Sequence, residues 1–323
     1  MKKFLTILLC TVLVLSAFAG CGEEEKKASG HSHCVCGGKL EGHTCANTTF
    51  QPLSQATFDA VTAESAPVKL HNDTVYSLEK GSYYLTENIA VAEQILIFEE
   101  VDLCLNGMRL AATHSPRTGV FSRIFAISGG SLNICDCCSE TGQGNIQGSY
   151  VNQGGAILIQ GRSGGAEGDL GTVNLYSGII RGGRAQSTNG DTVSVIGGTF
   201  RVYGGEVTGG AANRFGGNVY VAPEQTLELL GGSLTDGLAD YGSCIYAEPG
   251  SHVILGGSVT TQQLYLPAGA TVRFSEEVPV TDGFSVPVTM ELPGVFAEEV
   301  TADLSPFFPG ATYDPDAKTL AFP

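Results

Sequence analysis

The hydrophobic positions of this chain recur at a fixed interval between residues 172 and 259. The segments TVNLYSGIIRGG, TFRVYGGEVTGG and TLELLGGSLTDG follow one another, and their apolar residues Val173, Phe200 and Leu227 are spaced 27 residues apart. A period in this range is typical of a solenoid, in which each repeat buries its apolar face against its neighbours. Whatever the protein does must therefore be done on the outside of a stacked scaffold.

Each repeat carries the alternation of a β-strand. Apolar and other residues alternate in runs such as Phe200-Arg201-Val202, which indicates a strand with one buried face. Glycine pairs close these runs, since glycine turns the chain through positive φ without a steric cost. The pairs are Gly204-Gly205, Gly231-Gly232 and Gly256-Gly257. Helix-type spacing is absent throughout, and three short strands per repeat predict a parallel β-helix.

The extent of the repeat pattern sets the predicted domain bounds. The β-helix is predicted over residues 76–283, which corresponds to about seven to eight coils of 27 residues. Residues 284–323 are rich in strands and proline, and YDPDAKTLAF is typical of a closing hairpin. We expect this segment to be a β cap, since a solenoid must cover its open edge to avoid end-to-end association. The predicted fold class is all-β.

The N-terminus has the pattern of an export signal. Two lysines precede an apolar run that ends at Phe18, too short and too poorly flanked for a stable membrane span. Residues 1–20 are therefore predicted to be a signal peptide. The junction Ala19-Gly20-Cys21 resembles a bacterial lipobox, in which the cysteine is lipidated. Ordinary secretion with an unmodified Cys21 is the alternative. Residues 21–75 are predicted to be a spacer and a Cys/His-rich linker.

Composition and charge narrow the expected partners. The chain carries 33 acidic and 17 basic residues, a formal net charge of −16. Such a surface repels phosphate backbones, so we do not expect nucleic acid as a partner. Tryptophan is absent, and any aromatic stacking must therefore come from tyrosine or phenylalanine. The expected location is the cell surface, with a lipid anchor on the outer face of the cytoplasmic membrane.

A segment rich in histidine and cysteine, HSHCVCGGKLEGHTC, covers residues 31–45. Two ligand pairs, Cys34 with Cys36 and His43 with Cys45, flank a glycine-containing turn, and this layout predicts a tetrahedral thiolate–imidazole zinc site. The single residue between the members of each pair is tighter than the usual two. A disulfide-bonded hairpin and a flexible linker with free thiols are the alternatives.

Five further cysteines fall inside the predicted β-helix. Three of them are crowded in the run CDCC, which contains no histidine. We interpret the set as small buried apolar residues with an occasional disulfide, and we do not expect a metal ion there. The five are Cys104, Cys135, Cys137, Cys138 and Cys244.

Catalysis on a β-helix requires carboxylates stacked on neighbouring coils, to hold calcium or to act as acid and base. The repeat aligns Asn174, Arg201 and Glu228 in one column, and none of the columns that we aligned carries two acids. Arg201 beside Glu228 instead predicts a cross-strand ion pair. An enzyme is therefore not expected.

One outward column carries aromatic residues. Leu158, Ser194, Tyr220, Tyr246 and Tyr265 occupy equivalent outward positions on the first strand of successive repeats. Three tyrosines one strand spacing apart form a candidate platform for sugar rings, which pack their apolar faces on aromatic rings. Such a platform requires the three rings to be exposed and roughly coplanar. The alternative is that tyrosine simply suits half-exposed strands.

Four features resemble those of one protein family: the lipobox, the HSHCVCGG segment, the LCLNG run at residues 103–107 and the GG-x-[ST]-x-x-x-x-GG repeats. The chain is similar to secreted right-handed parallel β-helix proteins of pectate-lyase-like fold from anaerobic gut Gram-positive bacteria. The resemblance implies a single-stranded, right-handed β-helix at the cell surface, and it implies no single activity.

We therefore expect a lipid-anchored binding or adhesion module for an extracellular polysaccharide or a host glycan. A display scaffold without a ligand is one alternative, and a polysaccharide lyase or glycoside hydrolase is another.

Overall fold

The computed structural model describes residues 31–37, 46–64, 68–70, 73–113, 123–138, 143–149, 151, 153–162, 169–183 and 187–323. Within these ranges the chain forms many short strands, the helix α1 (Gln55–Glu64) and a 3-10 helix (Ser305–Phe307). The strands are β1 (Ser32–His33), β2 (Thr48–Thr49), β3 (Gln51–Leu53), β4 (Val68–Leu70), β5 (Asp73–Ser77), β6 (Gly81–Leu85), β7 (Ile89–Val91), β8 (Ile95–Ile97), β9 (Glu100–Cys104), β10 (Arg109–Ala112), β11 (Phe125–Ser128), β12 (Ser131–Cys135), β13 (Asn145–Gln147), β14 (Ile157–Gln160), β15 (Gly171–Leu175), β16 (Ile179–Arg181), β17 (Ser187–Asn189), β18 (Val193–Val195), β19 (Gly198–Val202), β20 (Glu206–Thr208), β21 (Ala212–Phe215), β22 (Val219–Val221), β23 (Thr226–Leu229), β24 (Ser233–Thr235), β25 (Ile245–Ala247), β26 (His252–Leu255), β27 (Thr260–Thr261), β28 (Leu264–Leu266), β29 (Val272–Phe274), β30 (Val288–Met290), β31 (Gly294–Ala297), β32 (Thr312–Asp314) and β33 (Thr319–Phe322).

Three long sheets, almost entirely parallel, contain most of the described strands. Sheet 1 has the order β3-β6-β9-β12-β15-β19-β23-β26-β29-β31-β33-β32, sheet 2 the order β30-β28-β25-β22-β18-β14-β11-β8-β5-β4, and sheet 3 the order β27-β24-β20-β16-β13-β10-β7. Consecutive strands pass from one sheet to another: β14, β15 and β16 lie in sheets 2, 1 and 3, and β18 then pairs with β14. The protein is therefore all-β with long parallel sheets, an architecture compatible with a parallel β-helix.

The register of the repeats agrees with the register predicted from the sequence. Val173 pairs with Phe200 and Phe200 with Leu227 in sheet 1. The inward residues of the three sheets meet in one continuous apolar core, because alternate side chains of a strand point to the same face. Among those that are fully buried are Ile157, Ile159, Val173, Leu175, Ile180, Val193, Val195, Phe200, Val202, Val207, Val219, Val221, Leu227, Leu229, Leu234, Ile245, Leu264 and Leu266.

The corners between strands are made by glycine, as the sequence predicts. Gly205 and Gly232 have φ angles of 77° and 74°, in the left-handed region that favours glycine. Their neighbours also leave no room for a side chain, because a Cβ on Gly205 would lie 2.5 Å from the carbonyl oxygen of Gly178. Successive repeats can approach closely at this corner only because a hydrogen atom replaces the side chain.

The parallel pairing begins before the predicted boundary at residue 76. β3 already pairs in parallel with β6, and β4 and β5 belong to sheet 2. The helix α1 follows β3, so the expectation that helices are absent is wrong for this segment. Its ten residues, QATFDAVTAE, contain no glycine or proline. The backbone N–H of Thr57 donates to Ser54 Oγ at 3.3 Å as an N-terminal cap. Phe58 is buried in the core, so α1 covers the N-terminal end of the sheets.

The C-terminal segment closes the other end. β30 and β31 add one parallel strand each to sheets 2 and 1. β32 and β33 then form an antiparallel hairpin, and β33 pairs with β31, which confirms the closing hairpin predicted from YDPDAKTLAF. Leu320 of β33 is buried together with Phe296 and Phe308, so the hairpin covers apolar surface at this end of the sheets.

No helix in the described ranges is both long enough and apolar enough to cross a membrane. The predicted signal peptide, residues 1–20, and the predicted lipidation site, Cys21, lie outside the described residues.

Candidate functional site

An N-terminal strand pair, formed by β1 and β2, packs on the outer face of sheet 1. Ser32 pairs with Thr49 and His33 with Thr48, and His31 immediately precedes this short ladder. The His31 ring stacks on Tyr84 of β6, with 4.2 Å between ring centroids and an interplanar angle of 7°. The His33 ring stacks on Phe50 with centroids 4.5 Å apart. Aromatic packing therefore fixes both imidazole rings against the sheet.

Two cysteines of the parallel sheets meet these histidines. Cys104 is the last residue of β9, and it pairs with Cys135 of β12 and with Tyr84 of β6. Because Leu103 points into the core, Cys104 must point to the outer face, where it forms a small separate cluster with Phe50 and Cys135. Cys137 lies in the turn that follows β12 and is exposed.

The turn that carries Cys137 is held by a buried carboxylate. Asp136 Oδ1 accepts the backbone N–H of Gly107 at 2.8 Å, and Asp136 Oδ2 accepts that of Gly144 at 2.7 Å. Asn106, which has a positive φ of 50°, places its Oδ1 at 3.4 Å from Cys137 Sγ. These contacts fix the position of the Cys137 thiol relative to Cys104, a form of support that is typical around metal ligands.

Four ligand atoms converge between the strand pair and sheet 1. His33 Nε2 lies 3.1 Å from His31 Nε2 and 3.3 Å from Cys104 Sγ, and His31 Nε2 lies 3.7 Å from Cys137 Sγ. All four atoms lie within 4.8 Å of one another. Tetrahedral bonds of about 2.0–2.1 Å to nitrogen and 2.3 Å to sulfur would separate ligand atoms by about 3.3–3.8 Å. The three contacts are close to that range.

The hydrogen bonding of His33 leaves its second ring nitrogen available as a ligand. Nδ1 lies 2.9 Å from the carbonyl oxygen of Cys34, so Nδ1 carries the proton and donates it to that oxygen. In the neutral imidazole, Nε2 is then the unprotonated nitrogen, and it faces His31 and Cys104. A backbone carbonyl that fixes the tautomer in this way is a common partner of a metal-bound histidine.

The electrostatics of the cluster favour a thiolate at Cys104. Hydrogen bonds from the thiols of Cys135 and Cys137 hold the pKa of Cys104 well below its usual range. Those two donors have raised pKa values for the same reason, since losing their protons would remove the bonds to Cys104. Burial lowers the pKa of His33, but its hydrogen bonds to Cys104 and to the Cys34 carbonyl outweigh burial, and its pKa is raised. The thiolate is the form of cysteine that binds metals.

His31, His33, Cys104 and Cys137 therefore form a cluster that can hold a metal ion. Two imidazoles and two sulfurs fill all four positions of a tetrahedron, so the arrangement suits an ion that stabilises structure and leaves none for a substrate.

The structure describes only two of the four zinc ligands predicted from the sequence, Cys34 and Cys36. Cys34 takes part in a disulfide, which agrees with the disulfide alternative for that residue. Cys36 is a free, buried thiol whose Sγ lies 3.1 Å from Cys34 Sγ. His43 and Cys45 lie outside the described residues. The described ligand cluster instead combines the two earlier histidines with cysteines of the parallel sheets.

Cys104 and Cys135 are buried free thiols, as the sequence predicts, although Cys104 also belongs to the ligand cluster. The interpretation of the cysteines inside the predicted β-helix as small buried apolar residues or disulfides is wrong for Cys137, which is exposed. It holds for Cys244, a buried free thiol, and for Cys138, which takes part in a disulfide. The CDCC run contains no histidine, but a distant part of the chain supplies two, His33 in β1 and His31 immediately before it. The signal in the sequence is the outward position of Cys104 on β9, next to Cys135 on the neighbouring strand β12.

The predicted tyrosine column exists in the expected register. Leu158, Ser194, Tyr220, Tyr246 and Tyr265 are successive partners across sheet 2. The three tyrosine rings stack with interplanar angles of 9° and centroid distances of 6.2 and 5.6 Å. Coplanarity is therefore confirmed.

The expected exposure of these rings is wrong for two of them. Tyr220 and Tyr246 are only 8% and 6% exposed. The Phe215 ring of β21 packs on Tyr246 at 4.4 Å, and Tyr241 packs on Tyr265 at 5.4 Å. Residues between the repeats thus fold back over the stack and turn most of it into packing surface.

No protein-family model, no curated protein and no solved structure matches this chain.

Proposed function

We propose that this protein is an exported, lipid-anchored β-helix that binds glycans at the cell surface, and that a zinc ion fastens its N-terminal segment to the rod. The observation that carries the proposal is the cluster of His31, His33, Cys104 and Cys137, which joins the N-terminal strand pair to sheet 1. Imidazole and thiolate ligands in equal number are typical of structural zinc sites. Oxygen ligands, which calcium and magnesium require, are absent from this cluster.

The scaffold of this proposal is a single-stranded, right-handed parallel β-helix of about seven to eight coils. The passage of consecutive strands through three parallel sheets supports it. Right-handedness is supported by the strong preference of parallel crossover connections for that hand. The resemblance to secreted β-helix proteins supports the same scaffold.

The zinc ion would act as a crosslink close to the anchor. His31 follows the proposed lipidation site, Cys21, by ten residues. Ten residues reach at most about 33–36 Å, even when they are fully extended. An ion bound by the N-terminal strand pair, β9 and the turn after β12 would prevent these elements from moving independently. It would therefore hold the β-helix in a fixed position relative to the anchored N-terminal segment.

The glycan part of the proposal rests on the outside of the rod. A solenoid offers long side surfaces on which equivalent residues line up at one strand spacing, which suits a polymeric ligand. Tyr176 and Tyr203, which follow β15 and β19 and are only partly buried, stack with an interplanar angle of 7°. Sugar rings bind such surfaces through their apolar faces.

The metal part is tested by zinc content. The full mature chain, purified with a reductant, is expected to hold a zinc ion that Cys137→Ser and His33→Ala remove. Cys244→Ser, which changes a free thiol in the core away from the cluster, is the matched control and should retain zinc. Full zinc content in Cys137→Ser, together with loss in Cys45→Ser, would place the ion at the set predicted from the sequence and contradict the cluster.

A further inference from the structure

A groove runs along the outer face of sheet 1, near the C-terminal end of the rod. It consists of two adjoining depressions of about 520 and 510 Å³ that share Glu228, Ile254 and Arg273. The groove crosses β19, β23, β26 and β29, which are successive neighbours in the sheet. At about 4.8 Å per strand it extends about 14 Å along the rod. This length suits a chain of linked rings better than a single small molecule.

The floor of the groove combines three charged side chains with one apolar side chain. Arg201, Glu228, Ile254 and Arg273 are successive cross-strand partners. Arg201 Nε donates to Glu228 Oε1 at 2.9 Å, which confirms the ion pair predicted from the sequence. Arg273 pairs in the same way with Glu299 at 3.2 Å. Each arginine is thus held in place by a carboxylate and keeps further N–H groups for another partner.

Aromatic and aliphatic surfaces complete the groove. Tyr203 lies at one end, and its ring is held by stacking on Tyr176 at 5.1 Å and an angle of 7°. Ile254 and Phe274 line the groove towards the other end, where Phe274 also packs against the core. A rigid ring beside flat apolar surface, with fixed donors and acceptors in between, matches a sugar, which has apolar ring faces and hydroxyl groups at its edges.

The charge of the groove decides which sugars fit. One of the two depressions is lined by four glutamates, Glu228, Glu276, Glu277 and Glu299, against two arginines. Both arginines already face a carboxylate. The remaining charge is negative, as is that of the whole chain. A polymer of uronic acids or a phosphate-linked polymer would be repelled, whereas carboxylates accept hydrogen bonds from neutral hydroxyl groups.

We infer that this groove is the glycan site of the protein and that its ligand is an uncharged polysaccharide chain lying along the rod. The inference rests on the proposed glycan-binding function and adds the site and the class of ligand to it. The apolar faces of the sugar rings pack on Tyr203 and Ile254, and the two arginine–glutamate pairs bind the hydroxyl groups.

The test is affinity electrophoresis of the full mature chain in gels that contain galactomannan, xyloglucan or polygalacturonate. We expect retardation by at least one neutral polymer and none by polygalacturonate. Tyr203→Ala should weaken that binding at least tenfold. Ile254→Asn, which changes an outward side chain of β26, should weaken it as well. This second variant keeps the test valid if Tyr203→Ala does not fold. Thermal unfolding midpoints within a few degrees of the wild type establish that both variants are folded.

Tyr265→Ala tests the tyrosine column of sheet 2 as the competing location and is expected to leave binding unchanged. Loss of binding in Tyr265→Ala, with full binding in Tyr203→Ala and Ile254→Asn, would overturn the groove and leave the glycan-binding function standing. Preferential binding of polygalacturonate would overturn the ligand class. A wild-type chain that is retarded by none of the three polymers would count against the proposed function itself.

Discussion

Asp191 places a carboxyl group in a fully buried corner between β17 and β18. Its Oδ2 accepts the backbone N–H of Ala211 at 3.0 Å, and its Oδ1 has no hydrogen-bond partner among the described residues. Burial without a cation raises its pKa to about 7. A buried carboxyl of this kind favours the protonated form, because the charged form loses its hydration without compensation.

This pKa predicts how stability depends on pH. The folded-state pKa of Asp191 is raised, so the unfolded chain loses the proton first, above about pH 4, while the folded chain keeps it until about pH 7. The contribution of Asp191 to stability is therefore full below pH 4 and is lost between pH 4 and 7, by up to about 1.4 kcal/mol per pH unit.

Asp191→Asn should remove this loss. Its unfolding free energy, measured in urea from pH 4.5 to 7.5, should rise relative to the wild type as the pH increases. The exposed Asp240→Asn controls for the loss of one negative charge. Parallel profiles for Asp191→Asn and the wild type would show that Asp191 ionises in the folded chain as freely as in the unfolded one.

Two neighbouring residues of β23 test the assignment of inner and outer faces. Leu229 is fully buried, whereas Glu228 points outwards and pairs with Arg201. Leu229→Asp should cost at least about 3 kcal/mol, since it buries an unpaired charge. Glu228→Gln should cost less than about 1 kcal/mol, because a partly exposed ion pair contributes little. Equal urea midpoints for the two variants would contradict the register.

At the scale of the elements, the strands and corners were predictable because they depend on local, periodic patterns. Alternation within β19 and its recurrence in β23 fix both the inward face and the register, and the glycine pairs fix the corners. The helix α1 was missed because a single short turn-and-helix unit carries no repeat. Its signals are local ones: Ser54 caps the N-terminus of the helix, and Phe58 is its buried aromatic residue.

The candidate metal centre was predictable only in part, since its ligands come from distant parts of the chain. His33 and Cys104 are 71 residues apart, and His31 and Cys137 are 106 apart. The sequence indicates a Cys/His-rich segment and a crowded cysteine run. An argument from local spacing, however, can combine ligands only within one segment and not between the two. Only the docking of the N-terminal strand pair on sheet 1 brings the histidines to the cysteines. The tyrosine column was misjudged for a similar reason, because Phe215 and Tyr241 cover it from outside the repeat.

The corner glycines give a prediction with a matched control. Gly205 and Gly209 have φ angles of 77° and 71°, but a Cβ would meet the carbonyl of Gly178 at the first position and open space at the second. In both alanine variants the free energy of unfolding should fall by about 1–2 kcal/mol, because alanine is strained in the left-handed backbone conformation. Gly205→Ala should lose about 1–3 kcal/mol more from overpacking. Equal shifts of the thermal unfolding midpoint in both variants would mean that successive repeats are not closely stacked at this corner.

At the scale of the whole molecule, three parts are proposed to act together: a lipid anchor, a zinc crosslink and a β-helix. If Cys21 is lipidated, Cys21→Ser should move the protein from the membrane fraction to the medium, because one acylated residue at the N-terminus is its predicted attachment. Fractionation of cells that express each form, followed by immunoblotting, measures this. The variant should keep its zinc, since Cys21 is not among the four described ligands. Unchanged membrane retention of Cys21→Ser would remove the anchor from the account.

The central claim is that zinc joins the N-terminal strand pair to the parallel sheets through His31, His33, Cys104 and Cys137. Zinc K-edge X-ray absorption of the full mature chain tests it most directly. The account predicts two nitrogen ligands at about 2.0–2.1 Å and two sulfur ligands at about 2.3 Å. It also predicts a change of this pattern in Cys104→Ser. A shell of three sulfurs and one nitrogen that persists in Cys104→Ser would contradict it, since that is the set formed by Cys34, Cys36, His43 and Cys45.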